Sequence, residues 1–248
     1  MNNASDLLTE IGKLNAIVKG SANIVFFGGA GVSTESGIPD FRSAKGLYNN
    51  ADGDTPPERI LSRSYFKSHP LEFYNYYRAN ILHPDALPNN AHLKLAGLER
   101  AGKLRAVVTQ NVDGLHQKAG SVNVIELHGS VNRNFCMKCK KPYDARFIAE
   151  SGSVPVCACG GIVKPDVVLY EETLDHDAIT KAIGFISRAD ALIIGGTSLA
   201  VFPAAGLVQY YKGDKLVIIN KTETDGDSRA ALVIRGAIGE VMTGIEVT

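Results

Sequence analysis

FFGGAGVSTESGIPDFR, residues 26–42, runs from an apolar strand into closely spaced glycines and ends in a polar, proline-broken segment. A strand followed by glycines is the first turn of a dinucleotide-binding fold, where the missing side chains permit a tight turn and close approach of the backbone to a pyrophosphate. Here GAGVS supplies two of the three glycines of that fingerprint. The acidic residue expected about 20 residues further on, at the end of a second strand, is also missing. The turn alone therefore admits two readings: a phosphate site, or glycines kept for backbone geometry. Where a Rossmann turn would continue as a helix, SGIPDFR predicts a loop able to close over a bound cofactor.

Outward from this turn, short apolar runs predict strands at 23–27, 106–109, 124–127, 167–169, 191–195, 215–219 and 233–234. Most lack alternation, as expected where helices cover both faces of a parallel sheet. Helical periodicity occupies 91–101, 177–187 and 204–211, and Leu7, Leu8, Ile11, Leu14, Ile17 and Val18 mark an amphipathic helix near the start. The pattern predicts an α/β fold, a doubly wound parallel-sheet Rossmann-like domain with a smaller inserted lobe. That lobe is expected from two segments foreign to the alternation, a helical insertion at 44–87 containing PLEFYNYYRANIL and a cysteine module at 132–162. The Rossmann-like domain then comprises 1–43, 88–131 and 163–248.

The four cysteines, Cys136, Cys139, Cys157 and Cys159, form CMKC, seventeen residues, then CAC. Paired thiolates separated by about 15–20 residues can surround a zinc ion tetrahedrally. Two disulfides are the alternative, disfavoured in a reducing compartment. With four protein ligands no position stays open to water, so the zinc is expected to be structural and to hold together a module too small to bury its own core. Lys plus Arg and Asp plus Glu both number 26, and this balance predicts neither a nucleic-acid nor a membrane partner. The first twenty residues lack the charged-then-apolar order of a signal peptide, and no apolar run reaches the roughly 20 residues that span a bilayer. A cytoplasmic protein is expected.

Ligands of such folds sit outside the carboxyl ends of the strands. Polar residues gather there: Gly29 and Gly31, then Gln110-Asn111-Val112-Asp113, His128, Gly196-Thr197-Ser198 and Asn220. Thr197 and Ser198 offer hydroxyls and N–H groups to a phosphate, and Asn220 can reach a ribose or base. The chemistry is expected from Asn111, Asp113 and His128. The histidine is either a general base near neutral pH or a structural residue at a strand end, and His116 reads as structural.

GAGVSTESGIPDFR, TQNVDGLH, HGS, the four cysteines, CGGIVKPDVV, GTSLAVFPAA and VIIN stand in the order seen in sirtuins. The chain resembles this family of NAD-dependent protein lysine deacylases from Ile24 to Asn220, and bacterial members above all. The resemblance implies a nicotinamide pocket of Ala30, Ile38, Phe41, Asn111, Val112 and Asp113. It implies that Gly29, Gly31, Ser33, Arg42, Gln110, Gly196, Thr197, Ser198 and Asn220 hold the rest of NAD, with Ala237 and Ile238 closing over the adenine. The charges of Asp40 and Arg42 either fix the loop or touch NAD. His128 matches the family's catalytic base, which activates a ribose hydroxyl after nicotinamide leaves. The implied products are nicotinamide, free lysine and O-acyl-ADP-ribose.

The same resemblance places an acyl-lysine peptide along Val167, Val168, Leu169 and Tyr170 and the loop containing Val201. One departure stands out, because the family's usual phenylalanine-glycine-glutamate is replaced by Tyr170-Glu171-Glu172. Glu171 either favours basic residues in the peptide or points to solvent. Family members that remove succinyl or malonyl groups carry tyrosine and, three residues later, arginine in the loop after DFR. Tyr48 is followed at that spacing by Ala51, which favours acetyl or other uncharged acyl groups. A monomer is expected. The alternatives are an NAD-dependent protein ADP-ribosyltransferase and a non-catalytic module that senses NAD or ADP-ribose.

Overall fold

The computed structural model describes residues 4–44, 46–49 and 55–247; Ala51 lies outside the described residues. The main sheet contains β1 (Ile24–Gly28), β2 (Leu104–Thr109), β3 (Val124–Glu126), β7 (Ala191–Gly195), β8 (Leu216–Ile219) and β9 (Leu232–Ile234). All its pairings are parallel, in the order β3-β2-β1-β7-β8-β9. This is the doubly wound arrangement, with its reversal of strand order between β1 and β7.

Every residue of β1 and β7 is buried, which accounts for the absence of alternation in their sequences. Successive side chains point to opposite faces. Phe26, Ile193 and Val217 pack against Leu14 and Val18 of the helix Ala4–Lys19, Leu95 and Leu98 of the helix Asn90–Arg100, and Val241 of the helix Ile238–Thr243. On the other face, Val25, Phe27, Val108 and Ile194 meet Ile186 of the helix His176–Arg188 and Leu207 and Val208 of a 3-10 segment, Ala204–Tyr210. The 3-10 geometry corrects the expected helical periodicity at 204–211.

A second, antiparallel sheet has the order β5-β4-β6, from β4 (Gly129–Cys136), β5 (Pro142–Tyr143) and β6 (Val163–Val167). The strand expected at 167–169 is thus displaced toward β6 and belongs to this sheet, not the parallel one. A buried apolar run shows that it is covered without showing which sheet covers it. Strand β4 carries no apolar run or alternation, because polar Ser130 and Asn134 occupy buried positions while Phe135 is exposed beside Asn132 and Arg133. The small sheet spans Gly129 to Val167, a few residues beyond 132–162 on each side.

Both insertions share one core: Phe73, Tyr74 and Tyr77 of the helix Pro70–Asn80 pack with Cys136, Ile148 and Val163. The Tyr74 hydroxyl donates to the Val163 carbonyl. Arg78 Nε donates to the Ile148 carbonyl at 2.9 Å, and its Nη2 to Ser151 Oγ at 3.1 Å. Among the described residues, no helix is long and apolar enough to cross a membrane.

Candidate active site

Two strand-end turns meet at the point where strand order reverses. Gly31 N–H donates to the Gly196 carbonyl at 2.8 Å, and Gly29 N–H to the Gly195 carbonyl at 3.2 Å. A Cβ on Gly31 would lie 2.7 Å from Gly196 Cα, and one on Gly29 the same distance from Thr197 Cβ. Gly196 has φ +59, in the left-handed region where glycine carries no steric penalty. These glycines therefore let the chain approach itself. The 3-10 turns Ala30–Val32 and Thr34–Ser36 replace the helix of an ordinary Rossmann turn. Ile238, expected over the adenine, is 3% exposed and packs in the sheet core, with its Cδ1 in the space a Gly195 side chain would fill. Only its neighbour Ala237 stands partly exposed at the cleft end of that helix.

Beyond β2, Ser33 Oγ donates to Asp113 Oδ2 at 2.6 Å, and Asn111 Nδ2 donates to Ser33 Oγ at 3.0 Å. Asp113 Oδ1 accepts the Leu115 N–H at 2.9 Å. Each carboxylate oxygen holds one donor and retains capacity for another, so the set suits a carboxamide. Asn111 N–H donates to Thr109 Oγ1 at 3.0 Å. Gln110 reaches the neighbouring turn, its Nε2 donating to Thr197 Oγ1 at 3.2 Å.

His128 follows β3, and its Nδ1 meets the Gln110 carbonyl at 2.9 Å. A carbonyl only accepts, so Nδ1 carries the proton and the neutral ring keeps its lone pair on Nε2, the arrangement a base requires. Burial lowers its pKa, with the bond to the Gln110 carbonyl opposing. Behind the site lies a pair of histidines. The His92 and His116 rings meet edge to face at 4.7 Å. Burial pushes His116 down to about 3, and His92 adds to the effect. Burial pushes His92 down to about 4, opposed by the Asp113 charge. Both are neutral packing residues, and the structural reading of His116 holds.

The expected flap is built from local bonds. Asp40 Oδ1 accepts the N–H groups of Arg42 at 3.0 Å and Ser43 at 2.7 Å, so this carboxylate fixes the loop. The Arg42 guanidinium lies 5.4 Å from the centre of the Tyr48 ring. Phe41 packs on the same ring with centroids 5.5 Å apart. Ile38 and Val112 are partly exposed beside this segment and β2 respectively. Two anchoring residues escaped the sequence reading. Glu35 Oε2 accepts the Gly239 N–H at 2.6 Å. Asn89 Nδ2 donates to the Val32 carbonyl at 2.7 Å and Ser36 Oγ at 3.0 Å. Asn89 was findable, since asparagine just before a helical run is a preferred N-cap, and in the structure it caps the helix Asn90–Arg100 with His92 completing a capping box. For Glu35 there was no local signal.

On the peptide side, the N–H groups of Val168, Leu169 and Tyr170 are already used by the His128 carbonyl, Glu172 Oε2 and the Leu61 carbonyl. Leu169 is 4% exposed and packs in the small-lobe core. Val167 and Val168 are partly exposed and Tyr170 is exposed, as is Phe202 beside the partly exposed Val201. Glu171 does not simply point to solvent. Its carboxylate accepts Ser64 N–H at 2.9 Å and Ser64 Oγ–H at 2.8 Å, capping the helix Arg63–Ser68. Ser198 is exposed in the turn after β7, and Asn220 folds back, its Nδ2 donating to the Thr222 carbonyl at 3.0 Å.

The cysteines converge as their spacing predicts. All four sulfurs lie within 4.8 Å of one another, with Cys136 to Cys159 at 3.4 Å and Cys139 to Cys157 at 3.6 Å. None is in a disulfide. A tetrahedral zinc with Zn–S bonds near 2.3 Å requires S···S separations of about 3.8 Å, so the tetrad fits the ion. Gly161 is part of the cradle, since a Cβ there would lie 2.7 Å from Cys136 Sγ.

Known proteins share this organisation. A protein of Clostridium perfringens named NAD-dependent protein deacetylase is 61% identical over 236 residues, covering 94% of this chain and 97% of that one. A Staphylococcus aureus (strain NCTC 8325 / PS 47) protein of the same name is 44% identical, covering 94% and 96%. A solved Sir2 with p53 peptide and NAD+ superposes with a TM-score of 0.82 at 41% identity, covering 93% of this chain and 95% of that one. A Sir2 bound to acetylated peptide gives 0.81 at 38%, covering 94% and 95%. The Sir2 family pattern matches residues 29–203, and the chain belongs to the Sir2 family.

Proposed function

We propose that this protein removes acetyl, or another uncharged acyl group, from lysine side chains of proteins while consuming NAD. The observation that carries the reading is the Ser33–Asp113–Asn111 network beside His128, at the strand ends where the sheet reverses. The names of its relatives and the solved complexes of Sir2 with NAD+ and with acetylated peptide support it.

Bound NAD supplies an anomeric carbon with nicotinamide as its leaving group. Asp113 accepts from the nicotinamide carboxamide, Asn111 and Ser33 hold that carboxylate in place, and Ala30, Ile38, Phe41 and Val112 enclose the ring. The carbonyl oxygen of an acyl-lysine is a weak nucleophile, so the loop's work is alignment and exclusion of water. His128 receives a ribose-hydroxyl proton at Nε2, while the Gln110 carbonyl keeps Nδ1–H oriented. Gly29, Gly31, Ser33, Arg42, Gln110, Gly196, Thr197, Ser198 and Asn220 hold the phosphates, riboses and adenine, with Ala237 at the adenine end. Val167, Val168, Tyr170 and Val201 line the peptide's path, and Leu169 supports it from the core. Cys136, Cys139, Cys157 and Cys159 hold a structural zinc.

In this reading 1–43, 88–131 and 163–248 form the Rossmann-like domain, 44–87 and 132–162 are its insertions, and the crevice lies between the two parts. The protein works as a cytoplasmic monomer, and its balance of 26 cationic and 26 anionic residues supports the absence of nucleic-acid and membrane partners.

Incubation with an acetyl-lysine peptide and NAD tests the reading. Steady-state nicotinamide release that requires the peptide and falls by roughly 100-fold or more in His128→Ala is expected, because a base acting after nicotinamide leaves is needed for turnover. No release, or undiminished release in the variant, overturns it. A mass gain of ADP-ribose on the peptide, without loss of acetyl, would identify the ADP-ribosyltransferase instead.

A further inference from the structure

Two tyrosines join the segments expected to bind peptide and cofactor. The Tyr48 and Tyr170 hydroxyls hydrogen-bond to each other, 122 residues apart in sequence. Tyr170 is firmly seated. Its N–H donates to the Leu61 carbonyl at 3.1 Å, and its carbonyl accepts the Arg63 N–H at 3.0 Å. The next residue, Glu171, has φ +72 where the family usually places glycine, and its carboxylate is tied to Ser64. A left-handed φ at a non-glycine residue is strained and persists only where surrounding structure imposes it. The position of the Tyr170 phenol is therefore set by the small lobe.

Tyr48 belongs to a segment without regular secondary structure. Its N–H donates to the Phe41 carbonyl at 3.0 Å, and Leu47 N–H to the Asp40 carbonyl at 2.9 Å. Phe41 and the Arg42 guanidinium both lean on its ring. Two residues expected to touch NAD thus rest on an aromatic side chain whose far end is held at the peptide groove. A phenylalanine at position 170, the family's usual residue, would keep the ring and lose this bond.

We infer that the Tyr48–Tyr170 hydroxyl pair couples the peptide groove to the cofactor loop, with Tyr170 a positioning residue that holds Phe41 and Arg42 for NAD through Tyr48. The inference rests on the deacetylase reading for its ligands, not for its geometry. Burial and the bond to Tyr170 raise the Tyr48 pKa, so the Tyr48 hydroxyl keeps its proton throughout the physiological range.

A double-mutant cycle of Tyr48→Phe, Tyr170→Phe and the pair tests it. A single hydrogen bond of ordinary net strength corresponds to roughly a three- to tenfold change in an equilibrium. Each single variant should raise the KM for NAD by that factor at saturating peptide, with kcat changed less, and the double variant should be no worse than either. Faster amide exchange at Leu47 and Tyr48 in Tyr170→Phe is the companion result. Additive KM effects overturn the inference, as does a fall in thermal stability with KM for NAD and loop exchange unchanged. Should the wild type release no nicotinamide, the deacetylase reading fails while exchange and NAD titration still decide the coupling: unchanged exchange and NAD affinity in Tyr170→Phe overturn it, and a change in both upholds it.

Discussion

The His128 ring shows how one backbone bond selects a tautomer. Because the Gln110 carbonyl holds Nδ1–H and burial lowers the pKa below its ordinary 6.5, Nε2 stays unprotonated at pH values where a free histidine would be charged. The acid limb of kcat/KM should therefore have its midpoint below pH 6.5, and a pH–rate profile checks this; a midpoint at or above 6.5 removes His128 as the titrating base. His116 makes a different prediction. Its folded pKa of about 3 lies below its ordinary value, so its contribution to stability is full above pH 6.5 and is lost as pH falls toward 3, where the unfolded chain binds a proton the folded chain refuses. Relative to His116→Phe, the wild type should lose about 2 kcal/mol between pH 7 and pH 5. Denaturant titrations of the two proteins at both pH values measure that difference, and zinc loss is common to both.

Among the elements, the short helix Ile238–Thr243 depends on a partner far away in sequence. Its Gly239 N–H is satisfied by Glu35 of the cofactor loop, so the two ends of the proposed NAD crevice are tied directly. Glu35→Ala should cost about 1 kcal/mol, the usual effect of losing a cap, while Glu35→Gln retains most of it. Thermal unfolding of both variants, with amide exchange at Gly239, checks the expectation. Strands β1, β7 and β8 were legible as continuous apolar runs because both their faces are covered. Strand β4 was not legible, because its buried positions include the polar Ser130 and Asn134 and its register is set by β5 and β6.

Across the whole molecule, two cores have different supports. The parallel sheet is held by apolar burial on both faces, whereas the small lobe places Cys136 and Cys157 inside its own core. Metal analysis should find one zinc per chain. A strong chelator should unfold the small lobe and abolish turnover while most helix and parallel-sheet circular dichroism remains, because zinc-binding free energy is folding free energy for such a module. Well under one zinc per folded chain would remove the metal from this account.

What the sequence determined by itself was local or patterned: the buried strands, the turn residues at their carboxyl ends, the cysteine spacing, and the ordered motifs that name the family. Each is written within a few residues, or in a period that burial imposes. Tertiary structure alone decided that residues 163–167 join the antiparallel sheet and that Gly31 faces Gly196. It also decided that His92 and His116 share one buried niche and that Glu35 and Tyr48 reach partners 204 and 122 residues away. Such contacts form only after the sheet and the lobe have fixed their backbones in space, and a side chain's identity does not reveal which distant atom will stand within 3 Å of it.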